Sequence, residues 1–161
     1  MNAKQHARGP AERLRVRRLE IVDDDDVTRI ELGTSTRGDA VVRLRDAKGT
    51  VRALISTQDE TPRIRLLDST GQARLCAILR NDSPGIELLG SDGQPRMVMF
   101  LRDHENEGPD IYFNDGEGEP RFGVAMDHAG RIALASKDDA GRLREALWSS
   151  IEGDGGDEPL A

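Results

Sequence analysis

One periodicity constrains this chain more than anything else in it. Segments 42–52, 64–74 and 86–96 align without a gap. Leu44, Leu66 and Leu88 are 22 residues apart, as are Gly49, Gly71 and Gly93, and Arg52, Arg74 and Arg96. A fourth unit follows with Ile111, Phe113, Asp115, Gly118 and Arg121, its arginine 25 residues after Arg96, the excess taken up around 105–109. The ends are looser. Leu19, Ile21, Asp23, Asp26 and Arg29 open the series with Asp26 at the glycine position, and Ile132, Leu134, Gly141 and Arg144 close it. Atypical terminal units are expected of an array, because each end has a neighbour on one side only.

The common pattern of the units is apolar-x-apolar-x-Asp-x-x-Gly-x-x-Arg, then alternating apolar residues. The period of two before Asp is a strand signal. Asp accepts from nearby backbone N–H groups and Gly takes positive φ, so the centre of the unit is a turn. A second strand starts near Arg and ends at clusters such as Asn81-Asp82-Ser83-Pro84. The expected fold is therefore all-β: tandem antiparallel β-hairpin repeats, about six units of roughly 22 residues, over 19–148.

The second strands are apolar on both phases. Ile55, Leu75, Ala77, Leu79, Met97, Met99 and Leu101 lie on one, and Leu54, Cys76, Ile78, Val98 and Phe100 on the other. A half-solvated hairpin shows one polar face instead, as the first strands do through Arg43, Arg45, Arg63, Arg65 and Glu87. The second strands are thus expected to be sandwiched. Either one chain forms a closed, flattened or solenoid-like β structure of about twelve strands, or identical chains wrap a common axis as a homo-oligomer, with three favoured. Aromatics are 3% of residues, which disfavours a thick monomer core at native density and favours the oligomer.

Charge is distributed unevenly. The net charge is −7, which argues against nucleic acid as a partner. Residues 1–18 carry six bases and one acid, and residues 152–161 carry four acids and no base. We read 1–18 as a flexible basic arm, able to meet an unknown protein partner, and 149–161 as a flexible acidic tail. Cys76 is the single cysteine, so no intrachain disulfide forms and no cysteine-based zinc site exists. No apolar run approaches a membrane span and no apolar segment follows the basic stretch, so the expected setting is cytoplasmic with no membrane partner.

Several residues invite a chemical reading and meet a plainer one. Asp23-Asp24-Asp25-Asp26 lacks the alternating ligand spacing and distal Glu of a calcium loop, and falls on a hairpin turn. The pairs Asp46/Arg52, Asp68/Arg74 and Asp115/Arg121 recur, and repetition favours scaffold over catalysis, since a catalytic group is needed once. His6, His104 and His128 show no ligating spacing, although Asp103-His104-Glu105 and Asp127-His128 lie one unit apart. Ser149-Ser150 has no nucleophile-elbow context. Gly116-Glu117-Gly118 precedes no helix and is no phosphate loop. Cys76 reads as a small core residue. No catalytic, cofactor-binding or metal-binding residue is assigned, and no cofactor is expected.

The segments Leu66-Leu67-Asp68-Ser69-Thr70-Gly71-Gln72-Ala73-Arg74 and Ile86-Glu87-Leu88-Leu89 resemble the leucine–aspartate–glycine–arginine repeats of uncharacterised bacterial β-hairpin-repeat proteins. The resemblance covers roughly 19–148, lies in the pattern alone, and carries no functional residue. The expected function is non-enzymatic: a self-associating structural or interaction module. The alternative is a glycan- or divalent-metal-binding module acting through the acidic loops between repeats.

Overall fold

The computed structural model describes residues 13–102, 108–138 and 140–150. The chain folds as one twelve-stranded antiparallel sheet: β1 (Leu19–Val22), β2 (Thr28–Thr34), β3 (Ala40–Arg45), β4 (Val51–Ser56), β5 (Arg63–Leu67), β6 (Ala73–Arg80), β7 (Ser83–Leu89), β8 (Pro95–Arg102), β9 (Gly108–Asn114), β10 (Pro120–Met126), β11 (Arg131–Lys137) and β12 (Leu143–Ser150). Spatial order is chain order, so every connection joins adjacent strands. A short 3-10 turn at Gln58–Glu60 is the one helical piece among the described residues. The sheet is open: among the described residues β1 pairs only with β2, and β12 only with β11. Closure of the chain on itself therefore has no strand pair to support it. At about 4.8 Å per strand the sheet measures roughly 50 Å along its hydrogen-bonding direction.

The turns follow from the Asp-x-x-Gly spacing. In the second unit, Gly49 N–H donates to Asp46 C=O and Asp46 N–H to Thr50 C=O, with Gly49 at φ 80°. This is a three-residue hairpin loop whose last residue must be left-handed. Asp46 Oδ1 then accepts from Lys48 N–H and Thr50 N–H, both at 3.0 Å. The same arrangement recurs at Asp68, Asp115, Asp127 and Asp138. In the first hairpin Asp26 occupies the glycine position at φ 59°, a conformation acidic residues tolerate better than most. The Ser35 and Asp127 turns lie between units and use the same backbone pattern, although the repeat motif does not mark them.

The conserved spacing of arginine within each unit has a second cause. Arg45 faces Val51 and Leu44 faces Ala53, so Arg52 stands unopposed in a bulge. Arg29, Arg74, Arg96 and Arg121 are unopposed in the same way. A bulge re-aims its side chain. Each of these guanidiniums reaches back to an Asp of its own turn, as Arg29 does to Asp23 (3.1 Å) and Arg121 to Asp115 (2.6 Å). It also reaches forward to a carbonyl at the next turn. Arg52 Nε donates to Leu67 C=O and Arg74 Nε to Leu89 C=O, both at 3.0 Å. Arg29 donates to Arg45 C=O, Arg96 to Asp115 C=O and Arg121 to Asp138 C=O. Successive hairpins are stapled through one side chain.

Close packing of neighbouring strands sets one strict glycine. A Cβ added to Gly108 would lie 1.8 Å from Met126 C=O, a backbone atom that cannot swing aside. Gly108→Ala should cost about 2–4 kcal/mol, in the range of severe overpacking. Denaturant unfolding would show this as a lower midpoint, while Gly116→Ala, where an added Cβ meets nothing within 4 Å, serves as the comparison.

Candidate functional site: an uncovered apolar face

Strand register sorts the side chains onto two faces of unlike character. On one face a row runs across the sheet through Leu19, Leu32, Val42, Ile55, Ile64, Ala77, Ile86, Met99, Ile111, Val124 and Leu134. A parallel row runs through Ile21, Ile30, Leu44, Ala53, Leu66, Leu75, Leu88, Met97, Phe113 and Phe122. Among the described residues nothing covers them. Ile55 is 50% exposed, Leu66 48%, Phe113 43% and Met99 37%. The face holds a concavity of about 640 Å³ bordered by Ile55, Ile64, Leu79, Ile86, Met99 and Leu101.

The opposite face is polar and better shielded. Leu54 lies between Arg43 and Arg65, and Cys76 between Arg65 and Glu87. Cys76 is 4% exposed, because aliphatic arginine stems cover apolar neighbours while their heads stay in water. So the second strands do carry apolar residues on both faces, but the arginines of the first strands screen one of them within the chain. Only the other lacks a cover. Phe100 and Tyr112 stack at 5.8 Å between strands β8 and β9, with Gly85 and Gly123 opposite them leaving the space they fill.

No protein-family profile matches this sequence, and no curated protein shows significant similarity to it. The reading of the site therefore rests on its own geometry.

The residues singled out from sequence separate clearly. Asp23 caps the first turn through the N–H groups of Asp25 and Val27 and pairs with Arg29. Among the described residues no group of three metal-ligating side chains converges. Asp127 caps its own turn and pairs with Arg131, and His128 sits within that turn. Gly118 is left-handed at φ 86° in the Asp115 turn. Ser149 and Ser150 end β12. In the basic arm, Arg18 pairs with Glu20 and lies 3.5 Å from Glu31. His6, Asp103, His104, Glu105 and the segments 1–12 and 151–161 lie outside the described residues.

Two charge clusters escaped the sequence reading. Glu31, 7% exposed, accepts from Arg43 Nη1 at 2.8 Å and Arg45 Nη2 at 3.0 Å. Burial works against its carboxylate, but the Arg45 hydrogen bond and the charges of Arg43 and Arg18 outweigh that and hold it below the usual range. Asp110, 2% exposed, sits 2.8 Å from Arg102 Nε. Burial dominates there and pushes the Asp110 carboxyl up. Only alternation with neighbouring strands placed these acids, and no local motif announces them.

The turn carboxylates are held below the usual carboxylate range. Thr70 O–H, then the backbone N–H of Gln72, holds Asp68 down to about 2, and Arg121 and the Glu119 N–H lower Asp115. Asp23, Asp39, Asp46, Asp92, Asp127 and Asp138 shift the same way. A folded-state value below that of the unfolded chain contributes stability above about pH 4, and that stability is lost as pH falls through the folded value. Asp110 acts in the opposite sense. With one raised carboxylate against many lowered ones, the melting temperature should fall continuously between pH 4 and pH 2. Asp68→Asn should flatten the low-pH end of that curve in calorimetry.

Proposed function

We propose that this protein is a non-enzymatic structural and interaction module that assembles from copies of itself through the uncovered apolar face. One observation carries the reading: an aliphatic surface crossing the sheet from β1 to β11 has no partner among the described residues. Twelve strands of about six residues make a wall of roughly 50 by 20 Å, or about 1,000 Å². The largest apolar patch on a typical monomer is roughly 300–600 Å². A standard protein interface takes about 800 Å² from each partner. The wall is thus the size of an interface.

The strands, four to eight residues long, are shorter than the 9–11 that cross a bilayer, which favours a protein partner over lipid. The composition favours a second and third copy. Three walls about 20 Å wide, apolar faces inward, set the axis about 6 Å from each wall, near half the ~10 Å spacing of packed sheets. Leu, Ile and Met fill that depth without aromatics. Four walls would leave the axis about 10 Å away and the centre empty. A two-walled sandwich covers the same face and is the other closed arrangement. The acids at the turns are already committed to backbone N–H groups and arginines, which weighs against a glycan- or metal-binding role for those loops.

Light scattering on the purified protein should give about three times the 17.7 kDa of one chain. Met99→Asp puts a charge into the middle of the contact and should weaken association by roughly a hundredfold or more. Met99 is partly exposed in the single chain, so a folded monomer is the expected product. A wild-type protein that stays at one chain mass, or a Met99→Asp variant of unchanged mass, would overturn the reading.

A further inference from the structure

The two edges of the sheet point to a second contact between copies. We propose that the chain also associates end to end, with β12 of one copy pairing along β1 of the next. The occupant of each edge is then another copy of this chain, and the contact extends the apolar wall instead of covering it. This rests on the self-assembly reading only in naming the partner, since the edges and the face are different surfaces.

Strand parity makes the contact geometrically natural. Twelve is even, so β12 runs antiparallel to β1. A following copy placed by continued stacking sets its β1 antiparallel to β12, and the alternation passes through the junction unbroken. Leu19 and Ile21 of β1 lie in the two apolar rows, so the uncovered face continues too. An edge strand presents an unpaired row of N–H and C=O groups, and a contact that repeats head to tail does not close on itself unless the rotation permits.

Charge selects the partner. β1 begins and β12 ends at the same end of the strands, the end opposite the turns at Asp23, Asp46, Asp68, Gly90, Asp115 and Asp138. Arg13, Arg15, Arg17 and Arg18 lead into β1 and are exposed. The sequence after β12 continues with Glu152, Asp154, Asp157 and Glu158. At an end-to-end junction the last residues of β12, which the acidic sequence follows, meet the arginines that lead into β1 of the next copy. Within one chain the end of β12 and the start of β1 lie on opposite edges of the sheet. The short β1 flanked by arginine repels a second β1, which disfavours edge-to-edge pairing of like with like.

The arginine staple is unfinished at both ends. Among the described residues it runs from Arg29 to Asp138 C=O. Val22 precedes Asp23 as Leu67 precedes Asp68, and among the described residues no guanidinium is recorded at its carbonyl. Arg144 holds the stapling position of the last unit, three residues after Gly141. Its side chain is 71% exposed, and its Nη2 is 3.8 Å from Asp138 Oδ2. It stands opposite Ser136 without the bulge of the earlier units, so the donor is present and the rung is not preformed.

Sedimentation velocity at low and high salt tests this with full-length chains. Wild type at low salt should form species larger than the basal oligomer that grow with concentration and collapse to it at high salt. Reversing the arm (Arg13→Glu, Arg15→Glu, Arg17→Glu) or the acidic stretch (Glu152→Lys, Asp154→Lys, Asp157→Lys) should each weaken this growth by roughly tenfold or more, and mixing the two variants should restore it. Neither variant touches the apolar face, so the basal oligomer should persist in both. A wild type of one size at all concentrations and salts overturns the end-to-end contact, whether the edges stay unpaired or meet within one chain. Growth that the charge reversals leave intact overturns it equally. Loss of the basal oligomer in Met99→Asp with salt-sensitive growth retained would separate this contact from the face contact.

Discussion

A single arginine per unit holds consecutive hairpins in one geometry. An isolated hairpin is marginal in water, and a meander of hairpins can shear or splay at every connection. The bulge that leaves Arg52 unopposed turns its guanidinium toward two acceptors at once: the Asp46 carboxylate behind and the Leu67 carbonyl ahead. The backward contact completes a turn whose Asp already accepts two backbone N–H groups. The forward contact fixes where the next turn begins. Exposed ion pairs contribute little one by one. Here the guanidinium also satisfies a backbone carbonyl, and the arrangement repeats from Arg29 to Arg121, so register is specified five times along the sheet.

With register held, alternation distributes everything else. A one-residue slip would move each side chain to the other face. The observed register collects Leu, Ile, Met and Phe on one side and Arg, Glu and the small or shielded apolar residues on the other. The polar side then closes over its own apolar residues with arginine stems, as around Cys76 and Leu54. The apolar side has no such device. A chain with 3% aromatic residues and a sheet one layer thick has no second layer among its described residues, so Leu44, Ile55, Leu66 and Leu88 remain close to half exposed. The stability missing from the single chain is what a partner sheet would contribute.

Much of this was legible before any coordinates. The turn at each Asp-x-x-Gly, the left-handed role of Asp26, the pairing of Asp with Arg across a turn and the all-β class all follow from local chemistry, which operates over five or six residues. What escaped were relations across strands. The forward reach of Arg52, Arg74 and Arg96 needs the neighbouring hairpin in place. The buried pairs Glu31 with Arg43 and Arg45, and Asp110 with Arg102, join residues on adjacent strands. The turns at Ser35 and Asp127 share the backbone geometry of the repeat without its full signature.

The sequence by itself determined the unit: strand, turn with its Asp and Gly, arginine, strand, and the even count that follows from pairing them. These depend on torsional preference and on hydrogen bonds between near neighbours, which residue type controls directly. Only the tertiary structure decided which of the two apolar phases is screened and which is bare. That depends on the side chains of the adjacent strands in register, where long arginines stand beside one phase and other aliphatic residues beside the other. The sheet is open for the same reason: local chemistry builds each hairpin, whereas joining β12 to β1 would be a contact across the whole array that no unit encodes.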